Sequence, residues 1–537
     1  MADTFLFGIV REITQKLASL AADEVKLAWG LEEELRRLED TATTIEAVLL
    51  DAEEQQVRSR AVREWLRRLQ DVVRDITNVV DDIATEALRR QVENQITDKV
   101  TRFLSKPKFQ LQMGHKIRNI RKRLDEISAD ARQFNFINRD SDMPVTTRGR
   151  ETYSYVRQSE VTGRDNDTEN IVKELLGDSS NFELSAIAII GIGGESDSRL
   201  TITFEMHDLM NDLARSVIGT EFSKIQDQDQ DISKCVRHVL LTRPTFPELL
   251  LKFKMLWTFM WLFDNYDSSI CVDPIIFSFR YLRVLDLSLM RFKELPSSIK
   301  KLKYLRFLNL FGNSAIKRLP TSICKLYNLQ TLILSETDCL KELPKDIWKL
   351  ISLRHLSVTS QQKSFPERGL GCLTALLTLS ISGQFLESLP NSMQNLTVLE
   401  DLEISSCTEL CFSENDMKGL YNLQRLSIKG LPRLVRIPLG LQHAATTLKC
   451  LHIGFCLGLI ELPEWLGTFA SLRRLTLIDC PKLTSLPQGI SSLTNLKVLK
   501  ILECPYLSRR CKKGIGEDWP KIAHVPQFYL DEEVYRI

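Results

Sequence analysis

Leu282-Arg283-Val284-Leu285-Asp286-Leu287 opens a pattern that runs to the end of the chain. The motif Leu-x-x-Leu-x-apolar starts again at Leu305, Leu329, Leu353, Leu376, Leu399, Leu423, Leu448, Leu472 and Leu496, with starts 23 to 25 residues apart. Leu256-x-x-Phe259-x-Trp261 reads as a weaker earlier copy. In each copy the apolar positions point to one side of a short strand and the intervening positions to the other.

A fixed period of this length with this spacing is that of a leucine-rich repeat. One copy cannot bury its own leucines. Stacked copies can, at about 1.5–3 kcal/mol for each buried leucine. Most copies continue with Leu-Pro, as at Leu295-Pro296, Leu319-Pro320, Leu343-Pro344, Leu389-Pro390, Leu462-Pro463 and Leu486-Pro487. Proline suits the return segment, where no ladder hydrogen bond is required. Cys407, Cys456, Cys480 and Cys504 each stand eight residues after a start, where the repeat places a side chain that satisfies loop backbone. Cysteine and histidine nowhere take the spacing of a metal site, so no metal is expected.

Upstream, residues 1 to about 130 carry almost no glycine or proline and read as four helices. Leu31, Leu35, Leu38, Ile45, Leu49 and Ala52 keep helical spacing, as do Trp65, Leu66, Leu69, Val72, Val73 and Ile76, and then Ile117, Ile120, Leu124 and Ile127. Antiparallel packing of such stripes gives a small bundle that folds by itself. The basic run Lys116, Arg118, Arg121, Lys122, Arg123 is interleaved with isoleucine, which makes it the wet face of an amphipathic helix. The whole chain of 537 residues has a formal net charge of +1, so no global field draws it to nucleic acid or anionic membrane. No secretory signal opens the sequence, and the most apolar stretch, Met255 to Phe263, is too short to span a bilayer. The 12 cysteines are therefore expected in a reducing compartment.

Three blocks together carry a resemblance. Asp51-Ala52-Glu53-Glu54-Gln55 is followed by Trp65-Leu66-Arg67-Arg68-Leu69 and Ala84-Thr85-Glu86-Ala87-Leu88-Arg89-Arg90. Met206-His207-Asp208-Leu209 lies between the helices and the repeats, and Glu517-Asp518-Trp519-Pro520-Lys521-Ile522-Ala523-His524 closes them. The sequence resembles plant coiled-coil NLR disease-resistance proteins, whose nucleotide-binding (NB-ARC) module ends in such an MHD block. The resemblance implies an intracellular protein of plant defence.

The middle of the chain departs from that family. Val161-Thr162-Gly163-Arg164-Asp165 resembles the adenine-contacting segment, and Ala186 to Gly194 the strand entering the phosphate loop. The family then has Gly-Lys-Thr, where this chain has Ser196-Asp197-Ser198. A phosphate loop needs a lysine on the terminal phosphates and a hydroxyl on magnesium. Asp197 opposes an anionic ligand, and no strand ending in paired aspartates follows. Gly191, Gly193, Gly194, Ser198, His207 and Asp208 are accordingly vestigial nucleotide-site positions, and no cofactor is expected, in contrast to ADP or ATP with Mg in intact relatives. The family's acidic motif on the helical domain falls on Thr77-Asn78-Val79-Val80-Asp81. Relatives use those acids to contact arginines of the repeats. Here Asp81 and Asp82 are left to preserve part of the contact.

The expected fold is multidomain. An antiparallel helical bundle spans 1–135, a linker 136–160, a remnant α/β and winged-helix segment 161–235, a leucine-rich-repeat α/β solenoid 236–525 and a tail 526–537. The expected function is protein recognition in plant defence, cytoplasmic and without catalytic residues. The alternative is a nucleotide-dependent switch that oligomerises on activation. Partners would be a pathogen effector, a guarded host protein or another NLR, with self-association through the helical domain and no nucleic acid. The amphipathic stretch Phe5 to Val25 permits peripheral contact with the plasma membrane. The positions between the leucines form a concave face rich in Arg283, Arg306, Arg354, Arg425, Lys429, Lys449, Arg473, Arg474, Lys497 and Lys500, with few acids: Asp286, then Glu400, Asp401 and Glu403 in one repeat. Arg354, Arg425, Arg473 and Arg474 are expected to bind protein through that face, and Asp81, Asp82 and Glu86 are an internal acidic counterpart.

Overall fold

A computed structural model describes residues 10–11, 32–55, 59–96, 107–131, 134, 221–225, 236–242, 253–261, 272–366, 368–531 and 533–536. The chain divides into two compact units. One comprises Met1–Ala21, Glu33–Val73 and Arg118–Gly219, the other Ala22–Glu32, Arg74–Ile117 and Thr220–Ile537.

Helices α1 (Glu32–Gln55), α2 (Arg60–Ile96) and α3 (Pro107–Ala131) follow the expected apolar stripes. Along α2, Val62, Leu66, Leu69, Val73, Ile76, Val80 and Ile83 alternate steps of four and three, and all are buried. That alternation keeps one face apolar through the whole helix. In the first unit, Leu38, Ile45, Leu49 and Ala52 of α1 are buried, as are Trp65 and Leu69 of α2 and Ile120, Leu124 and Ile127 of α3. The Trp65 indole N–H donates to the Ile127 carbonyl at 2.9 Å, and Arg68 pairs with Asp130 at 2.8 Å. Arg118 and Lys122 are exposed, as a wet helix face requires. Leu31 and most of the stretch Phe5 to Val25 lie outside the described residues.

Among the described residues, the second unit carries one sheet of 15 strands paired in chain order. These are β1 (Phe222–Ile225), β2 (His238–Leu241), β3 (Thr258–Trp261), β4 (Val284–Asp286), β5 (Phe307–Asn309), β6 (Thr331–Leu334), β7 (His355–Thr359) and β8 (Thr378–Ser382), then β9 (Asp401–Ser405), β10 (Arg425–Lys429), β11 (Cys450–Gly454), β12 (Arg474–Ile478), β13 (Val498–Leu502), β14 (Gln527–Leu530) and β15 (Glu533–Arg536). Strands β1 to β14 run parallel, and β15 turns back antiparallel on β14. Every repeat-start leucine from Leu282 to Leu496 is at most 1% exposed, so the pattern read from sequence is the core.

The return segments follow the Leu-Pro signal. Pro296, Pro320, Pro463 and Pro487 hold φ between −64° and −73° and begin short 3-10 turns. The proline carbonyl accepts the N–H of the residue three on, at 3.1 Å from Ile299 and 3.0 Å from Ile323. Proline loses nothing there, because only its acceptor is used. In several coils the inner corner is closed by a buried polar side chain or thiol, whereas Met290 and Leu431 fill the same position with apolar bulk. Asn313 donates to the Leu287 and Leu310 carbonyls at 2.8 and 3.0 Å, and Thr337 to Leu334 and Thr359 at 2.7 and 2.9 Å. Cys407, Cys456 and Cys504 each donate to a carbonyl two residues back at 3.3 Å, and Cys480 does so at 3.4 Å. Burial pushes the Cys407 and Cys456 thiols up to about 11, which keeps them protonated as donors. At most corners the preceding residue takes a left-handed turn, and at Gly312 (φ 70°) a Cβ would sit 2.4 Å from Leu289 Cδ2.

The sheet extends past both expected limits of the solenoid. Strand β1 lies within 161–235, and β14 and β15 lie within 526–537. The last parallel coil keeps the motif as Val525-x-x-Phe528-x-Leu530, all buried. It was hidden because the leucines are replaced and two short helices, α5 (Pro505–Arg510) and α6 (Trp519–Ile522), stretch its spacing. A further short helix, α4 (Asp273–Ser278), precedes the coil of β4.

Candidate functional site

Within the second unit, the continuation of α2 meets the first coils of the repeat face. The residue just before each strand lies beside its neighbours, because its N–H donates to the carbonyl of the equivalent residue one coil back. Arg306 bonds Arg283 at 2.8 Å and Gln330 bonds Arg306 at 2.7 Å. The ladder thereby sets two guanidiniums on adjacent rungs, about 4.8 Å apart.

Asp81 of α2 bridges them. Its Oδ2 accepts from Arg283 Nη2 at 2.7 Å and its Oδ1 from Arg306 Nη2 at 2.9 Å, with all three side chains at most 11% exposed. Asp82 is buried beside it. Its Oδ1 accepts from the Tyr304 hydroxyl at 2.6 Å and from Lys303, and its Oδ2 from Lys116 of α3 at 2.7 Å. One turn on, Thr85 Oγ1 accepts from Asn328 Nδ2 at 2.6 Å and donates to the Asp81 carbonyl. Behind the arginines, the Arg283 guanidinium lies 4.2 Å from the centre of the Trp257 ring, and Tyr281 stacks on Tyr304 at 5.6 Å. Arg74 of α2 also pairs with Glu221, just ahead of β1.

Burial pushes the Asp82 carboxyl up, but Lys303, Lys116 and the Tyr304 hydroxyl outweigh it and hold the group below the usual carboxylate range. The Tyr304 hydroxyl is raised by burial and by the Asp82 charge, so it stays a donor. His238, on β2, shares a hydrogen bond with Thr258 at 2.9 Å. Burial, with the charges of Arg283, Arg237 and Arg74, lowers it to about 4.

These shifts set a pH dependence. A carboxylate with a lowered value gives stability that is present above its unfolded value and lost only below it, so the Asp82 contacts hold through neutral and mildly acid conditions. A histidine with a lowered value is neutral in the fold and must charge when the medium acidifies. Between its unfolded value of 6.5 and its folded value of about 4, His238 withdraws stability as pH falls. The full effect is about 2–3 kcal/mol, allowing for some screening at the ring. Thermal melts of the wild type should fall from pH 7 to pH 5, and His238→Gln should flatten the fall. An unchanged slope in that variant would exclude His238 as the cause.

Glu86, expected as a third acid, does not reach the repeats. It pairs with Arg89 and Arg90 on its own helix, the latter at 3.4 Å, because they lie three and four residues on along α2. Arg354 is half-buried ahead of β7, Arg425 pairs with Asp401, and Arg473 and Arg474 are exposed. None of these four is joined to Asp81 or Asp82 among the described contacts. Lys303, Tyr304 and Asn328 are new to the site. They sit in the turns before the strands, where the repeat pattern carries no signal. Gly191, Gly193, Gly194, Ser198, His207 and Asp208 lie outside the described residues. No helix among the described residues is long and apolar enough to cross a membrane.

Comparison with known proteins finds similarity in both the helical and the repeat regions. The Rx N-terminal domain matches residues 9–111, and a leucine-rich repeat region matches residues 262–466. Disease resistance protein RGA2 of Solanum bulbocastanum is 37% identical over 197 residues, which is 36% of this chain and 19% of that protein. Disease resistance RPP13-like protein 1 of Arabidopsis thaliana is 36% identical over 214 residues, 38% of this chain and 20% of that protein. The matches span about a fifth of the length of these relatives. A solved leucine-rich-repeat protein of Leptospira interrogans overlays 54% of this chain and 89% of its own at 22% identity, with a TM-score of 0.33. In its helical and repeat regions, the chain is thus similar to an Rx N-terminal domain and a leucine-rich repeat region, and over part of its length to plant disease resistance proteins.

Proposed function

We propose that this chain acts inside plant cells as a recognition protein of defence, with α2 latched to its own repeats and no nucleotide-driven step. The observation that carries the reading is the contact of Asp81 and Asp82 with Arg283, Arg306, Lys303 and Tyr304. It joins the helical domain to the element that displays a partner-binding face. Two of three acids of the family motif are replaced, yet a two-aspartate version makes five ionic or hydrogen-bonded contacts with repeats and α3. The pairs are desolvated, so each depends on its partner being in place.

The absence of a nucleotide step rests on sequence. Asp197 stands where a phosphate-binding lysine belongs, and its charge repels the ligand that the lysine would hold. Such a protein is regulated by what engages the repeats, whether an effector, a guarded host protein or another NLR. Isothermal titration of the full chain with ADP or ATP and magnesium should give no binding, and micromolar affinity would refute the nucleotide-free reading. Plant lines that lack the chain should lose resistance to at least one pathogen in a challenge panel. Resistance equal to that of the parent line across the panel would refute the defence role.

A further inference from the structure

The column of residues that holds Arg283 and Arg306 continues to the far end of the sheet. Lys449 N–H donates to Gln424, Arg473 to Lys449 and Lys497 to Arg473, each at 2.8 Å. This places three cations on successive rungs, in the ladder position that presents Arg283 and Arg306 to Asp81. The strands add two more. In the register of β11, β12 and β13, Arg474 lies between Cys450 and Val498, and Lys500 continues the row of His452 and Thr476. Residues 449–453, 473–477 and 497–501 contain these five lysines and arginines and no aspartate or glutamate.

Elsewhere on the face, several cations have acidic partners. Asp81 takes the first two arginines, and on β9 Asp401 and Glu403 pair with Arg425 and Lys429 of β10. At the far end, Lys449 bonds only the Gln424 amide oxygen, at 2.8 Å, and Arg473, Arg474 and Lys497 are exposed with no carboxylate partner among the described residues. A dense set of like charges on one surface repels itself and is relieved by a counter-charge.

We propose that β11 to β13 form a docking site for an acidic segment of a partner protein, whose carboxylates bridge adjacent rungs as Asp81 bridges Arg283 and Arg306. The proposal rests on the reading of the repeats as a protein-recognition face and names the chemistry of the partner. Protein carboxylate is favoured over nucleic acid on two grounds. The same column already takes a carboxylate in this chain. On the strands themselves, the Tyr529 ring beside Lys500 is covered by that ammonium at 4.8 Å rather than open for base stacking.

The test uses the full chain and two probes of equal charge, a fluorescent oligo-glutamate peptide and an oligo-uridine. Arg473→Glu with Arg474→Glu should weaken the peptide at least about tenfold, and raising salt from about 50 to about 300 mM should weaken it in the wild type. Arg473→Ala with Arg474→Ala should give a smaller loss, which guards against a folding defect in the reversed variant. Lys317→Glu with Arg318→Glu, on an exposed return segment, should leave peptide binding unchanged. Wild-type affinity in the 473/474 reversal, an equal loss in the 317/318 control, or tighter binding of oligo-uridine than of the peptide would each overturn the proposal. Failure here leaves the resistance phenotype of the deleted lines standing, so the two readings fail separately.

Discussion

Asp82→Ala should free the part of α2 beyond Val73 from the repeat face. The substitution leaves Lys303, Lys116 and the Tyr304 hydroxyl around a site with no acceptor. Lys303 and Lys116 are partly exposed and can rehydrate, so the cost, falling mainly on the buried Tyr304 hydroxyl and the lost ion pairs, is about 1–3 kcal/mol. Local opening should therefore rise by about tenfold to a hundredfold. Hydrogen exchange followed by mass spectrometry reads this directly, in peptides covering residues 74–96 and 281–310. Arg283→Ala with Arg306→Ala should act through Asp81 and add to the effect of Asp82→Ala, since the two aspartates hold different cations. Unchanged protection of α2 in Asp82→Ala would show that apolar packing alone holds the helix there.

Asp518→Ala should unfasten the last coils while leaving the first ones intact. Asp518 is fully buried. Its carboxylate accepts from the Leu486 N–H at 2.9 Å and from Arg510 Nε and Nη2 at 3.1 Å, and it pairs with Lys521 at 2.8 Å. Lys521 in turn donates to the Leu486 carbonyl at 2.6 Å. One carboxylate thus ties α5 and α6 to the return segment of the preceding coil. Burial raises its pKa, but Arg510, Lys521 and the Leu486 amide outweigh that and keep it below the ordinary range. Its contribution is present above the unfolded carboxylate value and is lost as pH falls below it. The expected destabilisation is about 3–5 kcal/mol. Because coils contact only their neighbours, faster exchange should be confined to residues from about 480 onward. Equal loss of protection in β4 to β6 would contradict a local fastening.

The repeats were legible because their signal is periodic and redundant. Ten copies fix the core even where one copy is irregular, and the Leu-Pro pairs mark the returns. The ends of the sheet were not legible. Val525, Phe528 and Leu530 satisfy the same packing as leucines but break both the residue type and the spacing. The helical stripes were legible for a like reason, and α2 continues the three-four alternation without a glycine or proline to stop it.

The site was half legible. Asp81, Asp82, Arg283 and Arg306 were visible as charges at suspicious positions, yet their pairing depends on contacts more than 200 residues apart. Composition cannot reveal such pairing. Thr77 and Asn78 in place of acids made the contact look weak, whereas the weight falls on the two adjacent aspartates. Adjacent residues on a helix point in different directions, about 100° apart, so the pair engages separate cations. Glu86 read as equivalent from sequence, but the arginines three and four residues on lie within reach along its own helix, and they claim it first.

The strictly sequential order of the strands turns the sheet into a gauge. Arg306 precedes β5 and Lys449 precedes β11, so six rungs separate the charges nearest each other in the two sets. At about 4.8 Å per rung the distance along the ladder is roughly 29 Å. Duplication or loss of one whole coil between them would change that distance by one rung and leave the chemistry at both ends untouched. Selection can therefore adjust how far a docked ligand sits from the latched helix by copy number alone, independently of what the ligand is.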